Sequence, residues 1–235
     1  MRRLAAEWER FSARYEDQVL AVTRFAAKRR QILDAVKPAR VLDLGCGPVT
    51  YLLAELTARP ALNVAATDFS PPMVREASNQ LPKGSCRFVV ADTRSLPFDK
   101  GSFDTVISVN SILPQVRSDV DTMFSEVVRV LSPGGRLVAV LPAFETSLVA
   151  RDHWHIPIRV DVAGRREFDT TGWQCFYTKQ DVADLMRRHG FTHYRCTPLW
   201  FRSADEQATV QRLYHVSKSR LLANPLFEHL VVADR

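Results

Sequence analysis

Short apolar segments alternate with amphipathic segments along the first part of the chain. Four apolar runs, at positions 41–44, 63–67, 87–91 and 103–109, have the length and residue types of buried parallel strands. Between positions 119 and 131 the apolar residues recur at every third or fourth position, which predicts an amphipathic helix. Strands that alternate with helices predict an α/β fold built around a mostly parallel sheet.

The C-terminal part of the chain continues this pattern. Apolar runs at 136–141, 194–201 and 230–233 predict three further strands. The segments 178–189 and 204–222 predict helices, and Thr178 with an acid three residues later is typical of a helix start. These segments are expected to complete the sheet that the first half of the chain begins.

The first strand ends in a glycine turn that suits the binding of a ligand. Gly45 and Gly47 have no Cβ atom, so the backbone can adopt positive φ and a ligand can approach it closely. Asp43 precedes this turn, and Cys46 lies within it, where a small side chain is required. Pro48 suits the first turn of a helix. The strand, turn and helix start predict a cradle of free backbone N–H groups at the carboxyl edge of the sheet.

Acidic residues also follow the next two predicted strands. Asp68 comes about 20 residues after the glycines, which is the spacing at which a dinucleotide-binding unit places the carboxylate for ribose hydroxyls. Asp92 follows the third strand. Together with Asp43, these acids predict a nucleoside site at one edge of the sheet. Phe69 and Met73 are placed to contact a flat base held by Asp68, and for Met73 ordinary helix–sheet core is the alternative.

Four segments carry a resemblance to a known family. They are VLDLGCG (41–47), TDFSPPM (67–73), FVVADTRSLPFDKGSFDTVIS (88–108) and VVRVLSPGGRLVAVLP (127–142). In this order they resemble the motifs of class I S-adenosylmethionine-dependent methyltransferases. The resemblance implies a doubly wound, Rossmann-like sheet of seven strands whose last strand inserts antiparallel beside the sixth. It also implies S-adenosylmethionine as the cofactor.

The same resemblance implies roles for individual residues. Asp92 is expected to accept the adenine amino group, and the backbone N–H beside it, at Thr93, is expected to donate to the ring. Asn110 and Ser111 leave the fourth strand next to the expected position of the sulfonium methyl, so we assign Asn110 to the cofactor and Ser111 to the substrate. Val49 stands where the family often has a third glycine, and should narrow the space over the methionine part of the cofactor.

An apolar stripe through residues 4–36 predicts one helix or two at the N-terminal end. Such a helix packs on the outside of the sheet or, as in similar methyltransferases, covers the cofactor as a lid. In the lid arrangement Tyr15 is a candidate catalytic group, and Arg24 is a candidate partner of the methionine carboxylate. A surface role for Arg24 is the alternative.

Residues 143–177 interrupt the hydrophobic pattern, apart from a segment that predicts a β-hairpin turning at 163–164. An insertion of this length at the carboxyl edge of a sheet is expected to roof the substrate pocket. His153 and His155 are candidate general bases, and ordinary polar histidines are the alternative. No third ligand cluster accompanies the two histidines, so we predict no metal site.

The insertion is also rich in aromatic residues. Trp154, Trp173 and Tyr177 are candidate substrate contacts, because aromatic faces bind flat or cationic groups. The alternative is that these side chains form the core of the insertion itself.

Composition changes this picture little. The chain has 235 residues, a formal net charge of +6 and an isoelectric point near 9.4. Its basic runs are short and not interleaved with aromatics, which favours solvated helix faces over a nucleic-acid surface. Four widely spaced cysteines fit reduced thiols. The absence of a signal peptide and of an 18-residue apolar run predicts a cytoplasmic protein without a membrane span.

We therefore predict one domain over residues 1–235. It comprises the helical lid (1–37), a cofactor-binding core (38–142), the substrate-side insertion (143–177) and the C-terminal part of the sheet (178–235). The main functional expectation is methyl transfer from S-adenosylmethionine to an O, N or S atom of a small molecule, by in-line displacement at the sulfonium methyl. An RNA or protein acceptor is one alternative, and a non-catalytic cofactor-binding subunit is another. The sequence leaves the acceptor and the oligomeric state open.

Overall fold

A computed structural model describes residues 21–169 and 171–235. In these residues a seven-stranded sheet has the order β3-β2-β1-β4-β5-β10-β9, and a second sheet has the order β6-β7-β8. The strands are β1 (Arg40–Leu44), β2 (Asn63–Asp68), β3 (Arg87–Val90), β4 (Phe103–Val109), β5 (Leu131–Pro142), β6 (Arg159–Asp161), β7 (Arg166–Asp169), β8 (Gly172–Cys175), β9 (His193–Trp200) and β10 (Phe227–Asp234).

The large sheet is mostly parallel, as the sequence predicts. β1 pairs in parallel with β2 and β4, so that Leu42 lies opposite Ala65 on one side and Val106 on the other. Only β10 runs antiparallel within this sheet, between β5 and β9. The antiparallel insertion of the last strand, which the family resemblance implies, is therefore confirmed. One consequence is that the start of β10 lies at the same edge as the ends of the parallel strands.

Helices cover both faces of the large sheet. They are α1 (Ala26–Leu33), α2 (Tyr51–Thr57), α3 (Pro71–Gln80), α4 (Ser118–Val130), α5 (Phe144–Asp152), α6 (Lys179–Arg188), α7 (Ala204–Tyr214) and α8 (Lys218–Ala223). The core of one face includes Phe124 of α4, and the core of the other includes Leu53 of α2. Because apolar helix faces bury against both sides of the parallel strands, the doubly wound α/β prediction is confirmed.

The N-terminal segment is not one continuous helix over the part that is described. A short 3₁₀ turn at Val22–Arg24 is followed by α1, and Phe25 between them has an extended backbone. The Phe25 ring packs edge-on against the Phe201 ring, with 6.0 Å between their centroids, and this contact anchors the chain between the two helical segments. The buried ammonium of Lys28 then pairs with the carboxylate of Glu206, tying α1 to the C-terminal part of the chain. The helical lid itself is not shown, and Tyr15 lies outside the described residues.

The insertion 143–177 contains more regular structure than its sequence predicts. α5 occupies nine of its first ten residues, and the strands β6, β7 and β8 form an antiparallel sheet after it. The predicted hairpin is confirmed, because β6 and β7 are joined by a turn that contains Gly164. The sequence pattern does not predict helix α5. Its buried residues, Phe144, Ser147 and Ala150, form too narrow a face to give a clear helical period of hydrophobic residues.

Strands from residue 40 to residue 234 share the large sheet, and the single domain over residues 1–235 stays a prediction. Within the two described ranges, no helix combines the length and the apolar character needed to cross a membrane.

Candidate functional site

A cavity of about 290 Å³ lies along the carboxyl ends of the parallel strands. Among its lining residues are eight of the eleven predicted to hold the cofactor: Gly45, Gly47, Asp68, Phe69, Met73, Asp92, Thr93 and Asn110. The other three, Arg24, Asp43 and Cys46, do not line it. Ser111 and Trp173, which are predicted to contact the substrate, line it as well. The fold thus brings residues from β1, β2, β4 and the insertion to a single space, as expected for the carboxyl edge of a parallel sheet.

The glycine turn is held in place by the end of β4. Gly45 has φ +69°, and a Cβ atom at this position would lie 2.2 Å from the Cβ of Ser111. The hydroxyl of Ser111 donates to the carbonyl of Leu44 and lies 2.7 Å from the hydroxyl of Ser108. Ser111 therefore uses its hydroxyl to join two strand ends, and its close approach requires glycine at position 45.

Asp68 supports the same turn from the second strand. One carboxylate oxygen accepts the N–H of Gly47 at 3.0 Å, and the other accepts the N–H of Ser70 at 2.9 Å. The side chain is almost fully buried, and this burial raises its pKa to about 6, although the N–H groups of Ser70, Gly47 and Phe69 act in the opposite direction. A carboxylate has about four acceptor positions, so one remains for a hydroxyl of a bound ligand.

Asp43 lies behind the turn and is also buried. Burial, together with the nearby charge of Asp68, raises the pKa of Asp43 to about 7. Burial and the same two acids raise the pKa of the Cys46 thiol well above its ordinary value. Cys46 therefore remains a protonated thiol near neutral pH, and small size is its contribution to the turn.

Asp92 differs from the other two acids because it has a cationic partner. Its carboxylate pairs with Arg94 at 2.8 Å, and Arg94 also pairs with Asp119 at 2.8 Å. Although burial acts in the opposite direction, the hydrogen bonds from Arg94 lower the pKa of Asp92. All three side chains line the cavity. The adenine contact of Asp92 stays a prediction, and Arg94 and Asp119 are lining residues that the sequence does not single out.

A second, smaller cavity of about 40 Å³ adjoins the glycine turn. Its lining includes Asp43, Cys46 and Val49, together with residues of the 3₁₀ turn. Gly45 and Asn110 line both cavities, so the two spaces meet at these residues. Arg24 lines neither cavity, and its side chain is exposed.

Asn110 is held by two contacts at the end of β4. Its backbone has φ +50°, and its N–H donates to the carbonyl of Val140 at 2.9 Å. Its side-chain amide donates to the carboxylate of Glu228 at 2.8 Å. Glu228 is buried at the start of β10, and burial raises its pKa to about 7 despite the hydrogen bond from Asn110. Sequence reasoning misses Glu228 because the final strand is predicted to begin only at residue 230.

Residues of the insertion form a further wall of the larger cavity. Trp173 lines it together with Thr171 and Gln174, and Gln115 approaches from the segment after β4. The amide of Gln174 donates to the hydroxyl of Thr171 at 2.6 Å, and both residues are buried. This wall therefore combines one large aromatic face with neutral polar groups. The sequence points to Trp173 by its residue type, but gives no signal for the other three.

The remaining predicted residues of the insertion lie elsewhere. Trp154 is buried and packs against Tyr214 at 5.9 Å between ring centroids, and Tyr177 is buried with its hydroxyl donating to the carbonyl of Ile112. His153 and His155 are exposed and do not belong to the lining of the cavity. The structure therefore brings none of these four side chains to the candidate site. In the described residues, no group of three or more His, Cys, Asp or Glu is arranged to hold a metal ion.

Comparison with known proteins identifies the core of this arrangement. A family model described as "Methyltransferase domain" matches residues 41–135, which contain the glycine turn and the acids of the cavity wall. Residues 41–135 therefore belong to a methyltransferase domain. The family predicted from the four sequence motifs is thus confirmed, and S-adenosylmethionine is the cofactor of that family.

Curated relatives and solved structures agree with this assignment. A demethylmenaquinone methyltransferase of Thermus thermophilus is 34% identical over 117 residues, covering 48% of this chain and 52% of the relative. A malonyl-[acyl-carrier protein] O-methyltransferase of Geobacter sulfurreducens is 30% identical over 159 residues, covering 67% and 57%. The chain thus spans little more than half the length of these two relatives. An S-adenosylmethionine-dependent methyltransferase from Mesorhizobium loti shares the fold, with a TM-score of 0.64, 19% identity and coverage of 90% and 99%.

Proposed function

We propose that this methyltransferase domain transfers a methyl group from S-adenosylmethionine to an O, N or S atom of a small molecule. The observation that carries the proposal is the composition of the larger cavity. One of its walls holds Gly45 and Asp68, which suit a nucleoside, and the other holds Trp173 and Gln174 of the insertion. A single space is thus lined both by residues that suit a nucleoside and by residues that suit an acceptor.

The residues of the first wall fit the cofactor. Asp68 has an acceptor position left for a ribose hydroxyl, and Gly45 and Gly47 line the same cavity, where a ligand can approach their backbone closely. Phe69 and Met73 offer apolar surface for the adenine. When bound, S-adenosylmethionine supplies a methyl group carried on a sulfonium, which is an activated leaving group.

The second wall supports a small, partly flat acceptor. Trp173 offers an aromatic face, and Gln115, Thr171 and Gln174 offer neutral hydrogen-bonding groups that can orient a polar molecule. A volume of about 290 Å³ is at the lower end for small-molecule sites. The described lining contains no histidine or lysine, so the residues present act by orienting the acceptor and excluding water rather than through a histidine base. The names of the two curated relatives support this class of acceptor.

An RNA acceptor is less well supported, although the net charge of +6 is compatible with it. Two arginines of the insertion are already neutralised by carboxylates, since Arg165 pairs with Asp181 and Arg166 pairs with Asp161. Paired arginines are poor partners for phosphates, because each new contact must replace an existing one.

The proposal is tested by following methyl transfer directly. The protein is incubated with S-adenosylmethionine labelled in the methyl group and with a panel of phenols, amines, thiols and carboxylic acids. We expect the label in at least one small molecule, together with formation of S-adenosylhomocysteine, and we expect Trp173→Ala to reduce this transfer at least about tenfold through loss of the aromatic contact.

The matched control is Trp200→Ala, which removes a partly buried tryptophan outside the cavity lining. This variant should retain transfer once its folding is verified. Label recovered in bulk RNA instead of small molecules would overturn the proposed acceptor class. Binding of S-adenosylhomocysteine without transfer to either would favour a non-catalytic cofactor-binding subunit.

A further inference from the structure

Buried Glu228 and half-buried Asn110 form a polar pair where the two cavities meet. Asn110 comes from the end of β4 and lines both cavities, and Glu228 comes from the start of the antiparallel β10. The side-chain nitrogen of Asn110 donates to one oxygen of Glu228 at 2.8 Å. The other oxygen of Glu228 and the side-chain oxygen of Asn110 are buried without a hydrogen-bond partner. Such unpartnered buried oxygens are uncommon and call for an explanation.

The protonation state of Glu228 decides which end of the amide can face it. An ionised carboxylate is an acceptor only, so it holds the NH₂ end of Asn110 and leaves the amide oxygen as an unused acceptor. A protonated carboxyl group can donate, so it can bind the amide oxygen once the amide has rotated. When Glu228 is ionised, the amide oxygen of Asn110 therefore remains available as an acceptor. When Glu228 is protonated, it can bind this oxygen itself.

The smaller cavity has the charge to receive a cationic donor. Asp43 and Asn110 both line it, so one buried acid is part of its wall and another, Glu228, stands behind Asn110. Buried acids favour a neighbouring cation, because the interaction is weakly screened in the interior. The cofactor carries one primary ammonium group, which lies on its amino-acid part.

We propose that Glu228 is a positioning residue that orients the amide of Asn110, so that the amide oxygen can accept an N–H from the amino-acid part of the cofactor. This inference rests on the proposed function, because it requires the cofactor in these cavities. It gives the antiparallel strand a part in cofactor recognition, in addition to the glycine turn and the acids that follow β2 and β3.

Two charged neighbours act on Glu228. Lys28 of α1 and His229 of the same strand both favour its ionised form, and Lys28 is itself bound to Glu206 and to the carbonyl of Trp200. Burial is the larger effect and raises the pKa of Glu228 to about 7. The positioning therefore strengthens as pH rises through neutrality. Asp43 titrates in the same range, so a pH profile assigns the effect only when it is compared with a variant of Glu228.

The test measures the binding of two ligands by calorimetry. S-adenosylhomocysteine contains the amino-acid part, and 5′-methylthioadenosine lacks it. We expect Glu228→Gln to weaken binding of S-adenosylhomocysteine about tenfold at pH 8, as for the loss of a hydrogen bond held by a charged group, and to leave 5′-methylthioadenosine unchanged. In the wild type the ratio of the two affinities should fall severalfold between pH 8 and pH 6, and in Glu228→Gln this fall should be smaller.

Asp234→Asn is the matched control, because it makes the same chemical change at the opposite end of β10. It should leave the affinity ratio of the wild type intact. Asn110→Ala should lower the ratio as Glu228→Gln does, and the double variant should be no worse than Asn110→Ala alone. If Glu228→Gln does not fold, the ratio and its pH dependence in Asn110→Ala decide the question.

Three results are distinguishable. Wild-type protein that binds neither ligand would contradict the proposed function itself. Equal weakening of both ligands in Glu228→Gln would overturn the inference, since Glu228 would then support the whole pocket. Additive effects in the double variant would also overturn it, because the two residues would act independently.

Discussion

Acidic residues at the two edges of the large sheet have different partners, and their pKa values are shifted in opposite directions. At the carboxyl edge, Asp43, Asp68 and Glu228 are buried. Asp68 accepts backbone N–H groups, and Glu228 accepts the side-chain amide of Asn110. Burial raises the pKa of each of them, to about 7, 6 and 7 respectively. These carboxylates are costly to keep ionised in the folded protein.

At the amino edge the acids have arginine partners. Asp104 pairs with Arg40 at 2.7 Å, and Asp234 pairs with Arg136 at 2.9 Å and with Lys37 at 2.7 Å. The hydrogen bonds from Arg136 hold the pKa of Asp234 near 2, and those from Arg40 hold the pKa of Asp104 well below its usual range. These acids contribute to stability, and their partial exposure keeps the contribution modest.

The comparison distinguishes acidic residues that serve ligand binding from acidic residues that stabilise the fold. A buried acid whose ionised form destabilises the apo protein is understandable where a ligand later occupies its free acceptor position. Asp92 marks the limit of the comparison, because it lies at the carboxyl edge and still pairs with Arg94. That pair is partly exposed, so its desolvation is smaller than that of the other three acids.

The largest effect is expected from a methyl group at Gly45. Gly45→Ala places a Cβ against Ser111 at a position with φ +69°, and should lower the free energy of unfolding by about 2–5 kcal/mol through overpacking and backbone strain. Gly134 at the amino edge has a similar φ of +73° but no atom within 4 Å of an added Cβ. Gly134→Ala should therefore cost only about 1–2 kcal/mol.

Urea denaturation of both glycine variants, with and without S-adenosylhomocysteine, makes this comparison measurable. Ligand should still stabilise Gly134→Ala and should not stabilise Gly45→Ala. Equal losses of stability in the two variants would show that the contact with Ser111 is not the deciding feature.

A smaller effect is expected from pH. Asp43 has a folded-state pKa of about 7, above its unfolded value, so the stability that it contributes is present at low pH and is lost as pH rises through 7. Asp43→Asn removes this titration. The apo variant should be more stable than the wild type by about 1–3 kcal/mol at pH 8, and the difference should shrink toward pH 5.

Thermal melts of the apo proteins between pH 5 and pH 8 measure this difference. Asp234→Asn is the opposing control, because the pKa of Asp234 is lowered and its stabilising pair is fully formed throughout that range. An Asp43→Asn variant that is less stable than the wild type at pH 8 would show that the carboxylate stabilises this edge after all.

Local sequence patterns predict those parts of the fold and site that depend on neighbours in the chain. Strand β4 has its predicted bounds, Phe103–Val109, because a continuous apolar run is a local feature. The capping box of Thr178 and Asp181 likewise needs only four residues, and the structure contains it. The turn at Gly45 and the acid at Asp68 follow from the spacing of one βαβ unit.

Local sequence patterns do not predict contacts between segments that are distant in the chain. Glu228 reaches Asn110 across 118 positions because β10 pairs antiparallel with β5, where Glu228 lies opposite Pro142. Trp154 and Trp173 illustrate a second limit. Both occur in the same insertion, but one is buried in the core and the other lines the cavity. Aromatic residue type alone cannot separate these roles, because both require apolar surroundings.

The most direct test of the account compares one acid from each edge. Calorimetric titration with S-adenosylhomocysteine at pH 7.5 is combined with urea denaturation of the apo proteins, for Asp68→Asn and Asp104→Asn. We predict that Asp68→Asn weakens binding at least about tenfold, because an amide offers one acceptor oxygen instead of two and leaves the N–H of Gly47 or of Ser70 without an acceptor. Asp104→Asn should leave binding unchanged and lower stability by about 1 kcal/mol. Unchanged binding in Asp68→Asn, or equally weakened binding in both variants, would contradict the division of the sheet into a binding edge and a stabilising edge.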